Sequence, residues 1–178
     1  MKIKTKDAKK RASKVKILIM DVDGVLTDGR IVIDDKGLES KFFDVRDGHG
    51  VKMLNRVGIK TAIVTGRSSR VVKHRARELS IDYLYQGAIK KGETVEKILK
   101  ETGLTGGDAA YIGDDLIDIP AMKMAGLSVA VADSVDEVLK AADIITEKPG
   151  GRGAVREVVE FILKSQGIWE EAIKRYSQ

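Results

Sequence analysis

Three short stretches carry most of the chemistry available to this sequence: Asp21-Val-Asp23-Gly24, Thr65-Gly66-Arg67 and Gly113-Asp114-Asp115, the last followed by Asp118. Each comes directly after an apolar run that reads as a buried strand. Lys91 opens a later helical pattern. Carboxylates gathered in one place repel each other unless a cation lies among them. Hard oxygen donors of this kind suit magnesium, which takes a few carboxylates, waters and substrate phosphate. A cation and a lysine would neutralise an arriving phosphoryl group. Asp21 could then attack phosphorus and carry it covalently, while Asp23 protonates the leaving oxygen and afterwards activates water. Glycines in these stretches permit close backbone approach to phosphate. Taken singly, each stretch is weak, because an Asp-x-Asp at a strand end is most often a turn or a helix cap. Together, in this order and each after a strand, they point to a phosphoryl-transfer site.

Such a site needs a sheet to align the three stretches. Apolar, β-rich runs at 15–20, 60–64, 109–112, 128–131 and 143–146, with a shorter one at 83–85, alternate with helical patterns at roughly 48–56, 69–79, 92–102, 118–125, 134–141 and 153–165. Continuous apolar strands suit a parallel sheet covered on both faces. Their alternation with helices predicts a doubly wound, Rossmann-like α/β domain, whose sites form at the carboxyl ends of the strands. Gly58, Gly103 and Gly126 stand where helices should stop. One stretch departs from the alternation: residues 29–45 read as two strands around Asp34-Asp35-Lys36-Gly37, an inserted β-hairpin. No insertion is large enough for a cap domain. The expected organisation is a basic tail over 1–14, one domain over 15–166, and a C-terminal segment over 167–178 that forms a short helix or a loose tail.

Composition narrows the function. The chain has 178 residues, 43% hydrophobic and 33% charged, enough for one domain with a substantial core. It has no cysteine, which excludes disulfides, thiolate catalysis and thiolate metal sites. No apolar run is long enough to span a membrane, and the start does not read as a signal peptide, so the cytoplasm is the expected location. The net charge is +5, but residues 1–16 hold eight Lys or Arg against the single acid Asp7, which makes that segment +7 and the remainder −2. The basic excess is therefore terminal. No stacking aromatics interleave with the lysines, which argues against nucleic-acid binding. His49 and His74 are the only histidines, and neither has a metal-ligand partner at useful spacing.

The motifs resemble those of the haloacid dehalogenase (HAD) superfamily, and in particular its branch of 3-deoxy-D-manno-octulosonate 8-phosphate (KDO 8-phosphate) phosphatases. The resemblance rests on Asp21-Val-Asp-Gly-Val-Leu-Thr-Asp-Gly29, Val45-Arg-Asp-Gly-His-Gly50, Thr65-Gly-Arg67, Tyr85-Gln-Gly87 with Lys91, Gly113-Asp-Asp-Leu-Ile-Asp118, and Lys148-Pro-Gly-Gly-Arg-Gly-Ala-Val-Arg-Glu157. It covers about residues 15–165. It implies Asp21 as nucleophile and magnesium ligand, Asp23 as general acid and base with its backbone carbonyl on the metal, and Asp114 as the third protein ligand. Thr65 and Lys91 would hold phosphoryl oxygens, and Asp115 and Asp118 would orient the metal site. The substrate would be a sugar acid phosphate on the route to lipopolysaccharide. Its carboxylate would meet Arg67 first and Arg75 second, beside Gly66. The resemblance also implies a homotetramer in which inserted hairpins pack together and a neighbour helps close the site. Other readings are a nonulosonate (sialic-acid-type) 9-phosphate phosphatase, a phosphoacceptor receiver domain, and an inactive scaffold.

Overall fold

Fully buried apolar runs form the centre of the molecule. The computed structural model describes residues 1–176. In chain order the elements are β1 (Lys2–Ile3), α1 (Ala8–Ala12), β2 (Ile17–Met20), β3 (Val32–Ile33), β4 (Glu39–Ser40), α2 (Val45–Arg56), β5 (Lys60–Val64), α3 (Arg70–Leu79), β6 (Tyr83–Tyr85), α4 (Lys91–Thr102), β7 (Ala109–Gly113), α5 (Ile119–Met124), β8 (Leu127–Ala130), α6 (Asp136–Ala141), β9 (Ile144–Ile145), α7 (Ala154–Ser165) and α8 (Trp169–Ile173). The main sheet has the order β1-β9-β8-β7-β2-β5-β6. All its neighbours run parallel except β1, which lies antiparallel to β9.

Side chains alternate across a strand, so β2 feeds two cores. Leu18 and Met20 face a cluster built from α1, α2, α3 and α7, whereas Ile17 and Ile19 face one built from α4, α5 and α6. Helices on both faces of a mostly parallel sheet confirm the doubly wound α/β reading. Ile17 pairs with Lys60 on one side and Ala109 on the other, and Met20 with Ile63 and Ile112. This register brings the chain at Asp21, Thr65 and Asp114 off the sheet side by side.

The hairpin is present but shorter than its expected span. Only Val32–Ile33 and Glu39–Ser40 pair, around a turn in which an Asp34 carboxylate oxygen accepts from the Lys36 and Leu38 amides at 3.0 and 2.7 Å. No cap domain accompanies it among the described residues. Helix α2 starts at Val45, three residues before the expected position, because Asp44 caps it by accepting from the Arg46 amide at 2.7 Å.

The expected basic tail is a correction. β1 extends the sheet, and α1 buries Ala8 and Ala12 while its lysines face solvent. Arg11 anchors it through Asp143 at 2.7 Å. An alanine pair four residues apart makes a narrow inward face that a reading by charge passes over. The C-terminal segment forms α8, with Ala172 buried, followed by a single turn over Lys174–Tyr176. Residues 177–178 of that expected segment lie outside the described residues.

Candidate active site

Beyond β2 the chain turns tightly. The Leu26 and Thr27 amides both donate to the Val22 carbonyl, at 2.9 and 3.0 Å. Gly24 sits inside this turn at φ +92°, and a Cβ there would lie 2.0 Å from the Asp114 carboxylate. Only glycine lets the two acidic stretches come this close.

Asp21 is almost fully buried. One of its oxygens meets Lys91 Nζ at 2.8 Å. Lys91, the first residue of α4, has a fully buried side chain and also donates to Asp118 at 2.7 Å. Burial pushes the Lys91 ammonium down, but Asp21 and Asp118 outweigh it and hold it above its usual range. Asp118 is saturated. Its Oδ1 accepts from Lys91 and from the Tyr111 hydroxyl at 2.6 Å, and its Oδ2 from the Asp114 and Asp115 amides at 3.1 and 3.3 Å.

Among the described residues, two buried carboxylate oxygens are without any hydrogen-bond partner: Asp21 Oδ1 and Asp114 Oδ1. Single oxygens of Asp21, Asp114 and Asp118 all lie within 4.8 Å of one another. Burial, then the facing carboxylates, push Asp114 up to about 8. Burial and Asp118 push Asp21 up to about 7 against the pull of Lys91. Buried anionic oxygens facing each other without donors are costly, and a hard divalent cation is the group that satisfies them. The donor set therefore fits magnesium, and the unpartnered oxygens of Asp21 and Asp114 are the ones that could hold it. Asp118 has both oxygens committed to the Lys91 and Tyr111 side chains and to the Asp114 and Asp115 amides.

Asp23 turns the other way, toward the hairpin. Its carboxylate pairs with Lys41 and lies 3.8 Å from Arg67 Nε. Lys41 also reaches Glu39 at 3.2 Å, and Glu39 in turn accepts from Arg67 at 3.1 Å and from the Ser69 hydroxyl. Thr65 is buried at the end of β5, its amide donating to Tyr85 and its carbonyl accepting from Ala88, both at 3.0 Å. Gly66 borders open space. Asp115 caps the turn after β7 by accepting from the Leu116 amide at 2.7 Å.

Asp21, Asp23, Thr65, Gly66, Arg67, Lys91, Asp114, Asp115 and Asp118 thus gather at one rim, as the motifs suggest. Arg75 does not join them. It pairs with Glu78 at 2.9 Å and stacks over Phe43 at 5.4 Å, beneath the hairpin's exit. Its guanidinium is therefore held by Glu78 and Phe43 rather than by the groups around Asp21. Three residues were missed. Glu39 and Lys41 read as the solvated edge of a hairpin, and Tyr111 reads as core filler. The available signal was Tyr111 itself, since a tyrosine inside an otherwise apolar strand needs a partner for its hydroxyl.

Comparison with known proteins shows the family. A family model described as haloacid dehalogenase-like hydrolase matches residues 84–158. The KDO 8-phosphate phosphatase of Escherichia coli K12 is 44% identical over 162 residues, covering 91% of this chain and 86% of that protein. The crystal structure of KDO 8-phosphate phosphatase from Yersinia pestis superposes with TM-score 0.91 at 45% identity, over 93% of this chain and 89% of that one. The Moraxella catarrhalis enzyme, solved with magnesium, phosphate and KDO, superposes with TM-score 0.94 at 41% identity, over 96% and 98%. Identity at this level along nearly the whole of both chains shows that this protein belongs to the haloacid dehalogenase-like hydrolases, within their KDO 8-phosphate phosphatase branch.

Proposed function

We propose that the protein hydrolyses KDO 8-phosphate to KDO and inorganic phosphate, through a phosphoryl group carried on Asp21 and with magnesium as cofactor. The observation that carries this is the pair of unpartnered buried oxygens on Asp21 and Asp114 beside the buried ammonium of Lys91. Asp21, Asp114 and the Asp23 backbone carbonyl would hold magnesium, which supplies charge neutralisation for the phosphoryl oxygens. Asp21 attacks phosphorus, the bond from phosphorus to the sugar oxygen breaks, and that oxygen takes a proton from Asp23. Asp23, now a carboxylate, removes a proton from water as the water attacks phosphorus. The bond to Asp21 breaks and phosphate leaves. Lys91 has three N–H groups and uses two on Asp21 and Asp118, which leaves one for a phosphoryl oxygen; Thr65 supplies a hydroxyl. KDO is a lipopolysaccharide sugar, so the reaction serves the synthesis of that precursor.

The same reading takes the active form as a homotetramer in the cytoplasm. Support comes from the exposed apolar residues of the hairpin. No helix among the described residues is long and apolar enough to cross a membrane.

The deciding experiment measures phosphate release from a panel of sugar phosphates, with magnesium and with chelator, for the wild type and Asp21→Asn. Magnesium-dependent turnover of KDO 8-phosphate above all other substrates, absent in Asp21→Asn, is expected. Preference for a nonulosonate 9-phosphate would move the chain to that substrate. A single phosphorylation without turnover would leave a receiver-like or inactive protein.

A further inference from the structure

Asp47 is a buried carboxylate that no step above uses. It lies in the first turn of α2, 1% exposed, and its oxygens accept from two amides more than 100 residues away: Gly153 at 3.1 Å and Arg156 at 2.7 Å. These are N–H groups at the start of the 12-residue helix α7, where an anion complements both the free amides and the helix dipole.

What this cap holds is the glycine loop leading into α7. Gly151 donates to the Val25 carbonyl at 2.9 Å, and Gly150 donates to Asp133 at 2.9 Å. A Cβ on Gly150 would fall 1.7 Å from the Gly24 carbonyl oxygen, and one on Gly151 would fall 2.4 Å from the Thr27 carbonyl carbon. The loop backbone is therefore pressed against the turn that carries Asp23 and makes room for Asp114. We propose that Asp47 is a positioning residue for phosphoryl transfer: by fixing the start of α7 it holds the 149–153 loop as a buttress behind the Asp21–Thr27 turn, and so sets where Asp23 and the cation ligands stand. This rests on the phosphatase reading for its kinetics but not for its metal readout.

The test compares Asp47→Asn with Ile162→Ala, which opens a cavity in the same helix and leaves the cap intact. Asp47→Asn keeps the shape and replaces one accepting oxygen with a donor. It should lower kcat on p-nitrophenyl phosphate by roughly tenfold or more, as small misplacements of reacting groups do. KM should stay within about twofold while half-saturating magnesium rises severalfold. Ile162→Ala should lose comparable melting temperature with kcat and magnesium requirement close to wild type. Gly150→Ala attacks the other end of the buttress with the cap present, and should lower kcat similarly. Wild-type kcat and magnesium requirement in folded Asp47→Asn, or in Gly150→Ala if Asp47→Asn does not fold, would overturn the proposal. If the wild type releases no phosphate, the functional reading fails separately. The rise in melting temperature on adding magnesium then decides: a smaller rise in Asp47→Asn than in Ile162→Ala supports the buttress, and an equal rise removes it.

Discussion

Lys41, whose side chain is 1% exposed, places its ammonium on the carboxylate of Asp23. The inserted hairpin is therefore fastened to Asp23, the proposed general acid, as well as projecting from the fold. Asp23 leaves the sheet on a tight turn, and its other cationic neighbour is Arg67 at 3.8 Å. Lys41→Met keeps the apolar stem and removes the charge. Asp23 then loses the contact that fixes its side chain, and kcat should fall by roughly tenfold on KDO 8-phosphate and p-nitrophenyl phosphate alike. Steady-state kinetics on the folded variant check this; an unchanged kcat would mean that Asp23 is oriented without Lys41.

The cation site makes a prediction about pH. Asp21 and Asp114 are raised from 3.8 to about 7 and about 8. In the unfolded chain they ionise near their ordinary values, so between those limits the folded protein holds protons that the unfolded chain has released. Stability without cation must then fall as pH rises from about 4 to about 8. In chelator, melting temperature should drop across the upper part of that window. Magnesium should reverse the drop, and its effect should grow with pH because binding displaces the protons. Asp114→Asn should flatten both trends and Asp115→Ala should preserve them. A magnesium effect of constant size from pH 6 to 8.5 would contradict the ligand assignment.

Much of this was legible in the residues because strand ends in a parallel sheet obey simple geometry. Met20 lies between Ile63 and Ile112, so motifs that follow apolar runs must meet at one edge. Local patterns also placed Lys91 at the start of a helix. Long-range pairings were harder. Nothing local ties Asp47 to Gly153, and the charged pair Glu39 and Lys41 looks like a hairpin edge until the fold turns it inward. Arg75 was offered only as a second cation for a substrate carboxylate, and no local pattern shows that α3 directs it to Glu78 and Phe43. The first fourteen residues misled because seven cationic side chains obscured Ala8 and Ala12.

The proposed assembly can be tested at the hairpin's surface. Ile31, Ile33, Leu38 and Phe42 are exposed, whereas Phe43 packs inward beside Arg75. A two-stranded ribbon with this much apolar surface is not stable alone in water. Sedimentation should give a tetramer at micromolar concentration, and Ile33→Glu should shift it to smaller species by placing a charge in the contact. A wild-type monomer under those conditions would remove the proposed role of the hairpin.

Selectivity should reside in Arg67. Its side chain is about half exposed, and its guanidinium rests on Glu39 at 3.1 Å, near Asp23. An exposed pair of this kind is worth at most about 1 kcal/mol, so a substrate carboxylate can take its place. The groups that would hold the phosphate end, Asp21, Thr65, Lys91 and magnesium, are indifferent to the rest of the substrate. With no cap domain among the described residues, discrimination falls to side chains that reach the far end of a sugar acid. Arginine suits the task because its charge is fixed and its forked donors match a carboxylate. Arg67→Ala should lower kcat/KM on KDO 8-phosphate by roughly thirtyfold, the equivalent of about 2 kcal/mol for one charge-assisted bond. It should leave p-nitrophenyl phosphate, which has no carboxylate, within about twofold. Glu39→Gln frees the guanidinium from its resting partner and should improve KM for KDO 8-phosphate if Glu39 and the substrate compete for it. Equal losses on both substrates in Arg67→Ala would show that Arg67 serves the phosphoryl group or the hairpin, and would move the source of selectivity to the neighbouring subunit.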